Sequence, residues 1–367
     1  MSPTVVRRLA IASLVGNAAI VLTGAAVRVT GSGLGCADWP NCMKGNLTPP
    51  MQFHSLVEFS NRMVTVALVV VIGATFFATL LRRPARRDLI WLAGGLVVGV
   101  LVEAVIGGLV VYSKLNPYLV MVHFLATLVL LVDAVVLVHR SSRDYSPSSG
   151  HLVVPRPMLL LSRAMVLMTA IVLAAGSATT GAAPDAGGAT GQLVARRIPY
   201  PLRNLAELHA TLALFLIGLV LSLAVALHAM DIPERIRKAA RMLTVVLVLQ
   251  GIVGYTQYFT HLPAGLVELH ELGATVLVIG VVQYYLALTH HAPERVPGRL
   301  LTVPGLAATE RRVGAVAGAG AGLGASAGLG GGAVLGGGAV LGGEAVLGGE
   351  MHGGTQMDRG GAERAGT

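Results

Sequence analysis

The sequence predicts an all-α integral membrane protein with eight transmembrane helices, arranged as two pseudo-symmetric four-helix bundles. Three observations predict it. First, 54% of the 367 residues are hydrophobic and only 12% are charged, with a mean hydropathy of +0.72. Soluble domains carry about 25% charged residues, and disorder of a whole chain needs low hydrophobicity. Second, eight apolar runs have the roughly 20 residues that a helix needs to cross hydrocarbon. Third, polar motifs in the first four runs recur in the last four. Aromatics are only 5%, so the apolar content is Val, Leu, Ile and Ala, which suits lipid-facing helices better than an alternating β-barrel.

The runs lie at about 9–29, 56–81, 89–112, 118–139, 157–180, 203–229, 238–258 and 265–289. No A-x-A site follows the first, so it reads as a span and not as a cleavable signal peptide. It ends in Thr23-Gly24-Ala25-Ala26, and the fifth run ends in Gly176-Ser177-Ala178-Thr179-Thr180-Gly181. The third carries Glu103 before Gly107-Gly108, and the seventh carries Gln250 before Gly254. The fourth reads His123-Phe-Leu-Ala-Thr127, and the eighth reads His270-Glu-Leu-Gly-Ala-Thr275. An even number of helices per half keeps both halves in one orientation, related by an axis along the membrane normal.

Charge sets the topology. Arg7 and Arg8 precede the first run; Arg82, Arg83, Arg86 and Arg87 lie between the second and third; Arg140, Arg143 and Arg156 between the fourth and fifth; Arg235, Arg237, Lys238 and Arg241 between the sixth and seventh. Arg295, Arg299, Arg311 and Arg312 follow the eighth. With eight spans all five clusters share one side, which the positive-inside rule makes cytoplasmic, with both termini there. Arg196, Arg197 and Arg203 are the exception. The formal charge of +9 is therefore topological and implies no nucleic acid. The organisation predicted is an N-terminal four-helix half over 1–145, a C-terminal half over 146–303, and a Gly/Ala-rich disordered cytoplasmic tail over 304–367. Three copies of A-V-L-G-G-[GE] run from Ala333 to Glu350 in that tail, too glycine-dense for a stable helix.

Ionisable side chains in spans are costly and usually functional. His123, His209 and His270 all stand near the external start of an even-numbered span, at similar depth. The second span opens with His54, Glu58 and Asn61, spaced to share one helical face. Imidazole suits haem iron, and two histidines from facing helices can clamp a macrocycle inside a bundle. His209 and His270 make a natural bis-histidine pair; His123 lies opposite the His54/Glu58/Asn61 face. Zinc is less attractive, because no short ligand pair is present. Glu58 reads either as a proton acceptor beside a reactive centre or as the i, i+4 partner of Arg62. Cys36 and Cys42, in a loop facing an oxidising compartment, read as a disulfide, with a redox-active dithiol as the alternative.

These residues resemble the haem A synthase family. Thr30-Gly-Ser-Gly-Leu-Gly-Cys36-Ala-Asp-Trp-Pro-Asn-Cys42 is similar to that family's first external loop. Glu58-Phe-Ser-Asn-Arg62 resembles its helix 2 motif Glu-x-x-His-Arg, and His123, His209 and His270 match three of its four histidines. Gln250 to Pro263 resembles its helix 7 and following loop. The likeness covers about residues 5–290. It implies oxidation of the C8 methyl group of haem O to the formyl group of haem A, through a hydroxymethyl stage and a geminal diol that loses water. It implies haem b as cofactor, held by His209 and His270 in the second half. Haem O would bind in the first half near His123, with Glu58 as the catalytic carboxylate. It also implies a plasma-membrane location, lipid contact, a haem O synthase and a quinol or other electron partner, and it is compatible with a homo-oligomer. Two departures stand out. The family's fourth histidine falls at Asn61, so the substrate iron has His123 as its one protein ligand or takes His54 as the second. The 182–188 loop has no cysteines. A bis-haem, cytochrome b-type quinol electron carrier is the alternative function, but it needs four ligating histidines; a transporter on the same repeats would expect broken helices at midplane.

Overall fold

Proline and small capping residues start the first helix of the chain. The Ser2 hydroxyl accepts the Val5 N–H at 3.4 Å ahead of Pro3, a position where the missing proline N–H costs nothing. The computed structural model describes residues 1–44, 46, 48–142, 154–184, 189–190 and 193–289. They form α1 (Pro3–Val29), α2 (Phe53–Leu80), α3 (Arg87–Tyr112), α4 (Pro117–Arg140), α5 (Arg156–Ala182), α6 (Leu202–His228), α7 (Glu234–Phe259) and α8 (Ala264–Thr289). All eight are long and apolar enough to cross a membrane, so this is a multi-pass membrane protein. The expected spans fall on these helices with shifts of a few residues at their ends. One small addition was not expected: β1 (Ala189–Thr190) pairs antiparallel with β2 (Leu193–Val194) between α5 and α6. Arg203, expected in that connection, lies in the first turn of α6, paired with Glu207 at 2.7 Å.

Two rings of four helices result. In the first, α1 packs on α2, α2 on α3, α3 on α4 and α4 back on α1; in the second, α5 to α8 repeat that order. The rings meet through α4 on α8, α1 on α8 and α4 on α5, a pattern unchanged when the halves are exchanged. Leu128 and Leu131 of α4 meet Val278 of α8 in that seam. Arg28 of α1 donates from Nη2 to the Thr180 carbonyl of α5 at 2.5 Å, tying the same ends together. Even the short connections match: Lys114-Leu115 between α3 and α4 and His261-Leu262 between α7 and α8 are both left-handed pairs, with φ between 53° and 65°.

The repeat extends to side-chain register. On α2, Asn61 is followed by buried Leu68, Ile72, Thr75 and Thr79; on α6, His209 is followed by buried Leu216, Val220, Leu223 and Leu227. On α4, His123 precedes buried Leu130, Ala134, Leu137 and Ser141; on α8, His270 precedes buried Leu277, Val281, Tyr284 and Leu288. These offsets approximate two, three, four and five helical turns, so each even helix presents one inward stripe with its polar residue at the same place. The odd helices answer with a glycine at a common register: Gly24 above buried Asn17, Ser13, Ala10 and Val6, and Gly107 above Val100, Leu96, Ala93 and Leu89. Gly176 and Gly254 repeat this above Thr169 and Leu247. The opposite faces carry exposed apolar side chains such as Val70, Trp91, Phe215 and Val225, as lipid-facing surfaces require.

Arg28, Arg62, Lys114, Arg196, Arg197 and Arg203 lie at the bundle end of these polar positions, while Arg7, Arg8, Arg82, Arg83, Arg86, Arg87, Arg140, Arg156, Arg235, Arg237, Lys238 and Arg241 gather at the opposite end. There the N-terminal ammonium donates to the Leu81 carbonyl at 2.7 Å, and Arg86 Nη2 donates to the Arg140 carbonyl at 3.3 Å. Arg143, His151, Asp185 to Gly188, His290, His291, Arg295, Arg299 and the 304–367 tail, with Arg311 and Arg312, lie outside the described residues.

Candidate functional site

The α6 and α8 stripes bring His209 and His270 face to edge, with ring centroids 6.3 Å apart and planes at 85°. Two imidazoles bound to one metal through nitrogens at about 2 Å place their ring centres roughly 6 Å apart. The pair therefore has the span of a bis-imidazole iron site. His209 Nδ1–H donates to the Val172 carbonyl at 3.0 Å, which fixes the tautomer and leaves Nε2 for a ligand bond. The space for these rings comes from glycines. A Cβ on Gly176 would stand 2.9 Å from His209 Cε1, and one on Gly254 would stand 3.2 Å from His270 Cε1. Gln250 Nε2 donates to the His270 carbonyl at 2.9 Å, steadying α8 where the ring projects. Among the described residues no group of three or more His, Cys, Asp or Glu converges on one point, so the donor set is a facing pair and not a metal cage.

The first half repeats this frame with different chemistry. His123 packs over Gly107, whose Cβ would come 3.6 Å from Cε1. Its Nδ1 lies against the carboxylate of Glu103, itself buried on α3. A carboxylate on Nδ1 leaves Nε2 as the ring nitrogen available to a ligand bond and raises its basicity as a donor. Opposite, at the His209 register, stands Asn61, whose Oδ1 accepts the Thr23 hydroxyl at 2.7 Å. Gly24 of α1 holds the register of Gly176, and a Cβ there would meet no atom within 4 Å. A groove of about 410 Å³ lined by Thr23, Ala26, Phe53, Leu56, Val57, Ser60, Asn61 and Val64 runs between α1 and α2 past Asn61.

The connection between α1 and α2 closes over that half. Cys36 and Cys42 are joined in a disulfide; closing so short a loop contributes about 2 kcal/mol by chain entropy. Glu58, only 5% exposed, accepts the Cys36 N–H on Oε2 at 2.7 Å and Arg62 Nη2 on Oε1 at 2.6 Å. Arg62 Nη1 donates to the carbonyls of Asp38, Pro40 and Asn41 at 2.9, 3.2 and 3.0 Å. Gly35 admits the loop: a Cβ there would collide with the His54 carbonyl, and Ser55 donates to the Gly35 carbonyl at 2.6 Å. The loop lays Trp39 over Gly108, where a Cβ would lie 3.1 Å from its indole. The indole and His123 thus flank one glycine pair.

Of the candidates singled out from sequence, the structure brings together His209 with His270, Glu58 with Arg62, and Cys36 with Cys42. His54 does not join His123 in any hydrogen bond; its Nδ1 lies 3.0 Å from the Ser32 hydroxyl, in the loop. Sequence reasoning gave Glu103 no role, and Thr23, Trp39 and the facing glycines none either. The signal for Glu103 was its place one turn before Gly107, shared with Gln250 before Gly254. Arg28 of α1 bonds the Thr180 carbonyl of α5, so the seam between the halves is polar near the sites.

Comparison with known proteins agrees with this architecture. The family model COX15-CtaA, described as cytochrome oxidase assembly protein, matches residues 7–282. A stretch of 107 residues is 36% identical to the heme A synthase of Geobacillus kaustophilus, covering 28% of this chain and 32% of that protein. The heme A synthase of Bacillus pumilus is 31% identical over 120 residues, 32% of this chain and 39% of that protein. The heme A synthase of Shewanella oneidensis is 23% identical over 317 residues, 76% of this chain and 95% of that protein. The match thus spans about a third of the length of the Geobacillus relative and nearly all of the Shewanella one. With its eight membrane-crossing helices and a family match running from the first of them into the last, the chain belongs to the cytochrome oxidase assembly protein family.

Proposed function

We propose that this protein is a haem A synthase, oxidising the C8 methyl group of haem O to the formyl group of haem A. The observation that carries the reading is the His209–His270 pair, 6.3 Å between ring centres, together with the same frame in the first half around His123. The second half, 146–303, holds haem b through His209 and His270, and the first half, 1–145, receives haem O at His123. Bound there, haem b supplies one-electron chemistry. His209 is oriented for this by Val172, and His123 by Glu103. Trp39, over Gly108, and the clasped loop would keep water from a haem bound in this half. Glu58 is the carboxylate assigned to take protons as the methyl group is oxidised, with Arg62 and the Cys36 N–H holding it in place. The termini are assigned to the cytoplasmic side of the plasma membrane, from the basic ends. A haem O synthase and a quinol or other electron partner complete the proposal.

The test is pigment analysis. Membranes from cells expressing the chain together with a haem O source yield haem A on extraction. Haem b alone, with reversible reduction by quinol and no haem A, would instead support the cytochrome b-type electron carrier.

A further inference from the structure

The two halves share one frame and differ at one ligand position. His270 faces His209; His123 and Asn61 hold the matching register positions of the first half. An amide is a poor iron ligand, so the question is what Asn61 does there. Its Oδ1 already accepts the Thr23 hydroxyl at 2.7 Å. That leaves the Nδ2 hydrogens as the free donor of the pair. Gly24, at the register of Gly176, has no atom within 4 Å of a Cβ position, whereas a histidine ring lies against each of the matching Gly107, Gly176 and Gly254. The groove between α1 and α2 passes Asn61, with Val64 beyond it, and is otherwise largely apolar, with Ala26, Phe53 and Val57 in its walls. His54, at the outer end of α2, has its Nδ1 3.0 Å from the Ser32 hydroxyl in the loop. On the opposite side, His123 has its Nδ1 against Glu103, the arrangement that strengthens an imidazole as the single strong axial donor.

We infer that Asn61 and Thr23 form a distal pocket: the first half holds the substrate iron by His123 alone, and the Asn61 amide donates a hydrogen bond to a small exogenous ligand on the open face. The ligand class is a diatomic or similarly small molecule, reaching the site through the apolar groove. Polarity, donors and steric access on the distal side decide between ligand binding and electron transfer at a haem. The second half, closed by two histidines, is built for transfer, and the first for ligand binding. This inference rests on the proposed haem A synthase reading, since it takes haem O as the occupant of the first half.

Carbon monoxide is the probe. The full-length protein carrying haem b is loaded with haem O, reduced, and exposed to carbon monoxide. The expected result is one haem that stays low-spin and inert and one that binds the gas. Asn61→His supplies the missing ring, converts the first-half haem to low-spin and abolishes binding. Asn61→Leu keeps binding but moves the C–O stretch to higher frequency, because the donor is gone; Thr23→Val, which frees Asn61 to rotate, also shifts or splits the band. His54→Ala changes neither binding nor stretch. The low-spin spectrum of the second half reports in every variant that the bundle is folded. A first-half haem that is inert to carbon monoxide in the unmodified protein overturns the inference and leaves the haem A synthase reading standing. So does an unmoved stretch in Asn61→Leu. Failure of the first half to take up haem O at all overturns both.

Discussion

Glu58 is where single side chains decide between two accounts of the site. Its two oxygens hold the disulfide loop through the Cys36 N–H and hold Arg62, which in turn holds three loop carbonyls. Glu58→Gln retains an oxygen for the Cys36 N–H and loses the charge. If the carboxylate handles protons, this variant keeps its fold and haem b but accumulates haem O or a hydroxylated product in extracted pigments. If the carboxylate only clasps the loop, Glu58→Gln and Arg62→Ala are equally damaging and both lower the yield of protein. Removing Arg62 strands a buried charge, a change that costs about 3–5 kcal/mol, so Arg62→Ala lowers the melting temperature in either case. Glu58→Gln separates the accounts. His209 and His270 give a sharper expectation. Either one changed to Ala removes the low-spin haem b spectrum of the purified protein, and retention of that spectrum in both variants would place the cofactor elsewhere.

Helices carry the next level, because the sites exist only through matching stripes. Gly176→Ala places a Cβ 2.9 Å from His209 Cε1. Overpacking of this kind costs about 1–3 kcal/mol, and here it displaces the ring proposed to hold haem b. The expected outcome is a lower haem b content and a lower melting temperature. Gly24→Ala, with no atom within 4 Å, leaves thermal stability unchanged or raised, since alanine is the better helix former. Thermal melts of the two variants side by side test the difference. The sequence made the spans legible because twenty apolar residues in a row have few other fates. The histidines were legible because imidazoles inside spans are rare. Glu103 against His123 was not, although both residues were noted: the pairing depends on how α3 and α4 rotate against one another, which hydropathy does not encode. Thr23 and Trp39 were missed for the same reason, since their partners Asn61 and Gly108 lie on other helices. Asn61 was noticed as a departure, but its hydrogen bond and the open notch beside it are properties of packing.

At the scale of the molecule, charge at the two ends makes the topology testable. Reporter fusions after Arg87, Arg143 and Arg299 should read cytoplasmic, and one within 36–50 should read external; a cytoplasmic signal from the latter reverses the orientation. The paired rings also bear on how the halves came to differ. Both carry the same inward stripes, the same facing glycines and the same left-handed turns. In the genetic code, asparagine and histidine triplets are separated by one substitution at the first base. A single nucleotide change would therefore give the chain two histidines at this register in each half, at 61, 123, 209 and 270. A selection that scores haem A output against haem retention across all codons at position 61 would show how steep the fitness landscape is between a duplicated electron-transfer scaffold and an enzyme.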